Sequence, residues 1–271
     1  MSESEIIRHR LDITTTATLR PAILGHTYAT FTQRLFRPEI ADYRCVLNVD
    51  PIGEELSPEI VINVARQFFP DTTAHVAEIP NFASALKWCW SNTQAEYVFN
   101  LEDDWEMLKD VDLSDMLAIM DENPTLAHLR LSMFPAKLLP EDSVKGSGLC
   151  LRQWNRYIPW NGRFFEVPPD KIGQLGYSGH PSLMRGEFVR KMAKYLWAGW
   201  CPEKTLKGSF PWIHAEMLKW RFGAYHEYLY NSPKTIRDHG RVWREQHDFY
   251  KTRQHKFLTW ERIPHERWPM T

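Results

Sequence analysis

Tyr97-Val98-Phe99-Asn100-Leu101-Glu102-Asp103-Asp104-Trp105 is the stretch that decides how this chain is read. An apolar, β-prone run ends abruptly in three consecutive carboxylates. Open α/β sheets bind ligands beyond the carboxyl ends of their strands, so a strand here delivers its acids to the binding edge. Three adjacent carboxylates repel one another and lose hydration when partly buried, and a cation relieves both costs. Carboxylate oxygens are hard ligands suited to Mg2+ or Mn2+, ions that commonly bridge to phosphates. The stretch therefore points to a metal-assisted site for a phosphorylated substrate. A solvated acidic turn is the competing reading, and the rest of the chain decides between the two.

Upstream, the pattern alternates. Residues 11–18 are rich in β-branched side chains and read as a first strand, closed by Leu19-Arg20-Pro21. Apolar spacing at Ile23, Leu24, Tyr28, Phe31 and Leu35 predicts a helix over 21–35. A second strand over 43–49 stops at Asp50-Pro51-Ile52-Gly53. A helix over 57–69, a third strand over 74–79, a helix opened by Asn81 and a fourth strand over 96–101 follow. Such alternation implies a mostly parallel, doubly wound α/β sheet with right-handed crossovers.

Downstream of Trp105 the alternation loosens. A helix over 114–121 capped by Ser114, a strand over 126–133 and a strand end at Leu183-Met184-Arg185 are expected. Helices are expected over 187–197 and 212–222, the second stopped by Gly223. Residues 135–169 read as an irregular acceptor-side region. From Ser232 to Arg267 there are nine Lys or Arg against five Asp or Glu, which makes the tail locally basic. With no repeat or linker in view, 1–271 reads as one domain. Its parts are a ligand-binding half over 11–110, an acceptor-binding half over 111–233 and a basic aromatic tail over 234–271.

The bulk composition narrows the function classes. A net charge of −1 gives no global field that would draw the chain to nucleic acid or an anionic membrane, although a local basic face remains possible. The spacing of Cys45, Cys89, Cys150 and Cys201 makes no metal knuckle and fits reduced thiols in a cytoplasmic protein. No apolar run approaches a membrane span, and residues 1–10 lack an apolar signal core, so no membrane anchor is expected. No obligate protein partner is evident either.

Four blocks together resemble the GT-A nucleotide-sugar glycosyltransferases, especially the large family-2 type. Thr16-Ala17-Thr18-Leu19-Arg20-Pro21 resembles that family's first-strand block, and Val46-Leu47-Asn48-Val49-Asp50 its second strand. Asn81-Phe82-Ala83-Ser84-Ala85 is similar to the small-residue helix start before the acidic motif, and Leu101-Glu102-Asp103-Asp104 to the motif itself. The resemblance implies a GT-A, Rossmann-like fold, a nucleotide diphosphate sugar donor (UDP-sugar favoured) and Mn2+ or Mg2+. It implies metal contact by Asp104, with Glu102 shared between metal and donor, and donor contacts by Thr16, Thr18, Arg20, Asp50 and Asp103. Asp50 also reads as a turn-opening residue before Pro51, and Arg20 as a surface cap.

The second half matches the family less well. Gly179 to Arg185 resembles the strand that borders the acceptor, which makes Arg185 an acceptor residue. Ile213-His214-Ala215-Glu216 resembles the helix that carries the catalytic base, but Glu216 falls one step late in register. Glu216, Glu203 and His214 are the base candidates in that order, since inverting transfer needs a proton acceptor beside the acceptor hydroxyl. His239, in Asp238-His239-Gly240, is a candidate third metal ligand.

The chain also resembles small phage GT-A enzymes that modify hydroxymethylated pyrimidines in DNA, which would place it in a host cytoplasm. Arg152, Trp154, Arg156 and Trp160 mix cations with aromatics, a surface that holds phosphates and stacks on bases. Acceptors of glycan or small-molecule type remain open. A nucleotidyltransferase is the rival enzyme class, but the block after the first strand lacks the Gly-rich loop that holds a triphosphate. A non-catalytic binding module is the third reading, against which the intact acids count.

Overall fold

The structure, a computed structural model, describes residues 8–54, 56–131, 161–208, 210–225, 235–254 and 257–264. The first half runs β1 (His9–Leu19), α1 (Pro21–Arg34), β2 (Ala41–Gly53), α2 (Pro58–Phe68), β3 (Thr72–Val76), α3 (Phe82–Ser91) and β4 (Tyr97–Asn100). It continues through β5 (Trp105–Met107), α4 (Leu113–Glu122), β6 (Leu126–Arg130), β7 (Phe164–Glu166), α5 (Ile172–Leu175) and β8 (Ser182–Arg185). Then come α6 (Gly186–Ala193), α7 (Pro202–Leu206), α8 (Pro211–Met217), β9 (Arg221–Tyr225), β10 (Ile236–Asp238), α9 (Gly240–Gln246), β11 (Phe249–Gln254) and β12 (Phe257–Arg262).

Eight strands form one mixed sheet in the order β3-β2-β1-β4-β8-β6-β9-β7. β3, β2, β1 and β4 run parallel, as the strand–helix alternation implies, while β8 lies antiparallel between β4 and β6. All four residues of β4 are buried, as expected of a central strand covered on both faces. One apolar layer joins Leu11, Ile13, Phe31 and Phe99 to Met116 of α4. The opposite layer joins Trp90 of α3 to Val98, Met184, Phe188 and Phe222. The sheet between these layers is the platform whose carboxyl edge carries the site.

Local chemistry sets the element ends. Pro21 and Pro58 occupy first-turn positions, where a missing N–H costs nothing. The Asn81 side chain caps α3 by accepting from the Ser84 N–H at 2.9 Å. The pairing of β1 with β2 slips between Thr18 and Leu19. There Gly53 has φ +131°, and a Cβ would sit 2.7 Å from the Leu19 carbonyl oxygen, so glycine is required.

Three sequence expectations change in the folded chain. The cap of α4 is Asp112, not Ser114: Asp112 Oδ1 accepts from the Ser114 and Asp115 N–H groups. The helix expected over 212–222 ends at Met217. Residues 221–225 pair instead with β6 and β7, where two ladders satisfy the backbone that the helix would have satisfied. Gly223 is therefore a strand residue, and the Phe164 ring fills the place of its missing side chain. A separate antiparallel pair joins β10 to β5, setting Asp238 opposite Trp105. That pairing brings His239 beside the acidic turn.

Candidate functional site

A cleft of about 480 Å³ opens over the carboxyl ends of the parallel strands. One wall comes from strand ends: Thr16 and Thr18 in β1 and Arg20 just after it, Asp50 in β2, and Glu102, Asp103 and Asp104 after β4. The other comes from Tyr177, Gly179, Cys201 and Glu203, with Ile79 and Asn81 at the rim.

The three acids have different surroundings. Asp103 is buried and fully engaged. Its Oδ2 accepts from the Thr18 N–H at 3.0 Å, the Thr18 hydroxyl at 3.2 Å and Arg20 Nε at 3.3 Å, while Arg20 Nη2 donates to its Oδ1. Burial pushes the Asp103 carboxyl up, and the Arg20 guanidinium pulls against that. Asp103 is thus a strut that ties β4 to β1. Asp104 is 13% exposed at its side chain and shares Arg20 Nη2 at 3.2 Å. A Cβ at Gly240 would lie 2.0 Å from Asp104 Oδ2, so only glycine lets the carboxylate stand there. The Asp104 carbonyl accepts from the His239 N–H at 2.8 Å.

Arg20 is 2% exposed, and its guanidinium lies 5.1 Å from the ring centre of Trp243 in α9. Burial disfavours its charge, but the two aspartates hold it protonated, above its ordinary value. It is an internal counter-ion, and the surface-cap reading of this residue fails.

Asp50 is 7% exposed. Its oxygens accept from Asn48 Nδ2 at 2.9 Å and the Asn81 N–H at 3.0 Å. Burial pushes its carboxyl up to about 6. Asn48 is held in turn by His75 Nδ1 at 2.7 Å, and His75 stacks on Trp88 with centroids 4.8 Å apart. Glu203 Oε1 accepts from the Gly179 N–H at 2.9 Å. A Cβ at Gly179 would meet Glu102 Oε1 at 2.9 Å, so Glu102 and Glu203 flank this glycine from two walls.

Among the lining residues, Asp50, Glu102, Asp103, Asp104 and Glu203 face the single guanidinium of Arg20, a formal charge of −4. An anionic diphosphate enters such a cleft only with a compensating cation. Glu102 and Asp104 have the oxygen chemistry to hold a divalent ion there. The residues present fit a hard metal, and Asp103 with Arg20 forms the rigid base beneath it.

The structure brings Thr16, Thr18, Arg20, Asp50, Glu102, Asp103, Asp104 and Glu203 together on one cleft. It leaves four expected residues elsewhere. Glu216 pairs with Lys191 at 2.5 Å and Lys219 at 2.9 Å and does not line the cleft. Despite its burial, the two lysines hold its carboxyl below the usual range, which weakens it as a base. His214, on the same helix, packs beside Gly173 and Gly208. Arg185 lies at the opposite edge of the sheet, paired with Tyr97 rather than Asn100. There it donates to the Met120, Asn123 and Leu126 carbonyls. His239 Nε2 turns to Glu106 at 2.7 Å rather than to the acids of the cleft. Arg152, Trp154, Arg156 and Trp160 lie outside the described residues.

Sequence reasoning missed Tyr177, Cys201 and the roles of Gly179, Asn48 and Trp243. Asn48, two residues before Asp50 on the same strand face, was the one legible signal.

This sheet and cleft define the fold of the GT-A-type glycosyltransferases. The chain superposes on S. aureus TarS residues 1–349 with a TM-score of 0.55 and 13% identity, over 82% of this chain and 59% of that one. TarS 1–349 in complex with UDP gives 0.51 and 14%, over 82% and 59%. The mannosyltransferase PcManGT from Pyrobaculum calidifontis, in complex with GDP-Man and Mn2+, gives 0.53 and 14%, over 89% and 62%. The chain thus spans about three fifths of the length of these structures. No protein-family model matches the sequence, and no curated protein matches it. Among the described residues, no helix is long and apolar enough to cross a membrane.

Proposed function

We propose that this protein is a metal-dependent, inverting glycosyltransferase that moves a sugar from a nucleotide diphosphate sugar, preferentially a UDP-sugar, to a hydroxyl acceptor. The observation that carries this reading is the charge of the cleft at the carboxyl ends of the parallel strands: among the described lining residues, five carboxylates face one guanidinium. A nucleotidyltransferase would need cationic groups for a triphosphate at the end of β1, and among the described residues that line the cleft the one cation there, Arg20, is already paired with Asp103 and Asp104.

In this reading Asp50 accepts from the base imide or a ribose hydroxyl, and its fixed hydrogen bonds from Asn48 and Asn81 aim it. Thr16 and Thr18 border the nucleotide. A divalent ion held by Glu102 and Asp104 would offset the charge that gathers on the departing diphosphate. Glu203 is the base: it takes the acceptor proton while the hydroxyl oxygen bonds to the anomeric carbon and the carbon–oxygen bond to diphosphate breaks. Its hydrogen bond from Gly179 fixes Oε1, and Oε2, 3.8 Å from Lys207 Nζ and beyond hydrogen-bond range of it, is the oxygen that takes the proton.

As acceptor we propose a hydroxymethylated pyrimidine in DNA, worked on in the cytoplasm of a host cell. The support is compositional: the Arg and Trp residues at 152–160 and the basic tail. The test is a donor screen with Mn2+ or Mg2+ against hydroxymethylated DNA, plain DNA and a glycan panel, following nucleoside diphosphate release and sugar incorporation. Metal-dependent release from one nucleotide sugar is expected. No release from any donor overturns the enzyme class, and transfer to the glycan panel alone overturns the DNA acceptor.

A further inference from the structure

His26 of α1, Glu106 of β5 and His239 at the start of α9 meet on the flank of the acidic turn, outside the residues that line the cleft. Their nitrogen and oxygen atoms all lie within 4.8 Å of one another. His26 Nε2 is 3.3 Å from Glu106 Oε1, and His239 Nε2 is 2.7 Å from Glu106 Oε2. The two imidazoles meet edge-on with centroids 5.3 Å apart. Ligand atoms at the zinc distance of about 2 Å sit roughly 3.3 Å apart around a tetrahedral ion, so this group needs only small side-chain shifts to close on one.

We propose that His26, Glu106 and His239 form a second metal site, selective for a nitrogen-preferring divalent ion such as Zn2+ and separate from the all-oxygen cleft. Two imidazoles and one carboxylate favour zinc over Mg2+, whereas Glu102 and Asp104 favour the harder ions. The ligands come from positions 26, 106 and 239, so a bound ion ties α1, β5 and the β10–α9 segment together. That segment sits against the catalytic wall. The His239 N–H is on the Asp104 carbonyl, Gly240 packs on its carboxylate and Trp243 covers Arg20. The ion acts as a staple that holds this wall.

Arg237 is the built-in competitor. Its Nε donates to Glu106 Oε2 at 2.6 Å, the oxygen that His239 also uses. Its side chain is 54% exposed, so it can swing into solvent when an ion takes the carboxylate. Removing a competing cation should therefore tighten metal binding, which a purely structural ion-pair cluster does not predict.

The test loads the full chain with Zn2+ in excess Mg2+, counts retained metal by mass spectrometry and measures affinity by competition with a chromophoric chelator. One Zn2+ per chain is expected. His26→Ala and Glu106→Gln should weaken it by more than about tenfold, since losing even an outer partner of a ligand costs that much. Arg237→Ala should tighten it, and Asp104→Asn should leave it unchanged. Co2+ substituted into the wild-type chain should show the visible bands of nitrogen ligation, a readout that needs no variant to fold. No retained Zn2+, a Co2+ spectrum without nitrogen ligation, or His26→Ala binding like wild type overturns the proposal. Zn2+ lost on Asp104→Asn assigns the ion to the cleft and also overturns it. None of these readouts depends on donor turnover, so failure here is distinguishable from failure of the glycosyltransferase reading.

Discussion

The two walls of the cleft are built by different rules. One is made of neighbouring strand ends: Thr18 stands opposite Asp50 in the β1–β2 register, and Asn100 opposite Thr14 leads directly into the acids. The other is made of turns and short helices, where Tyr177, Gly179, Cys201 and Glu203 converge from separate segments. On the first wall a hydrophobic run stops and the next residues reach the cleft by position. On the second wall nothing local marks the residue that arrives. In the proposed function the donor would be held by the strand-end wall and the acceptor proton taken on the wall of turns and short helices.

That contrast breaks most visibly at Asp104. Asp104→Asn keeps the shape and removes the charge, and it should lower metal-dependent donor turnover by at least about a thousandfold while the circular dichroism stays wild type. Retained turnover would remove the rigid wall from the chemistry. Arg20 tests the strut beneath. Arg20→Ala leaves Asp103 buried without its counter-charge and should cost about 3–5 kcal/mol in urea denaturation. Adding Asp103→Asn should restore part of that loss, because the stranded charge is then gone.

The adaptable wall gives the next effect. Glu203→Gln should reduce kcat by about a hundredfold or more with donor KM little changed. Glu216→Gln, on α8 and held by two lysines, should leave kcat near wild type. The reverse outcome would return the base to Glu216.

The smallest effect concerns Asp50. Its folded carboxyl titrates at about 6, above its ordinary 3.8, because burial disfavours the charge. The stability it contributes when protonated is complete below pH 3.8 and lost as pH rises through about 6. The ionised acceptor that the nucleotide needs is therefore complete only above that range. UDP affinity, measured calorimetrically with Mn2+, should fall by up to about tenfold as pH drops from 7.5 to 5. Asp50→Asn should fall less steeply than wild type across the same window, keeping only the fall from protonation of the terminal phosphate of UDP, and a wild-type curve no steeper than the variant's would remove Asp50 from nucleotide recognition.

Much of the strand-end wall was legible because its signals are local. Thr16, Thr18, Arg20, Asp50 and the acids of 102–104 lie where β-branched runs meet turn residues, and all of them reach the cleft. Arg20 was expected to bind the donor, and the structure places it on the cleft as an internal counter-ion, a role the sequence did not show because it carries no record of burial. The helical periodicity over 212–222 misled because Phe222 and Ala224 fit an alternating strand pattern equally well, and pairing on both sides decided the matter. The part of that helix that carries Glu216 forms, but Glu216 pairs with Lys191 and Lys219 and does not line the cleft. Glu203, the second candidate, proved to be the one on the cleft.

The sequence by itself determined the alternating α/β order, the central buried strand and the delivery of acids to its carboxyl end. These follow from side-chain period and turn chemistry within a few residues. Only the tertiary structure decided which acid is a strut and which opens on the cleft, which glutamate lines that cleft, and that His239 joins His26 and Glu106. Each of those outcomes depends on which distant group arrives within about 3 Å, since hydrogen bonds and ion pairs act only at that range.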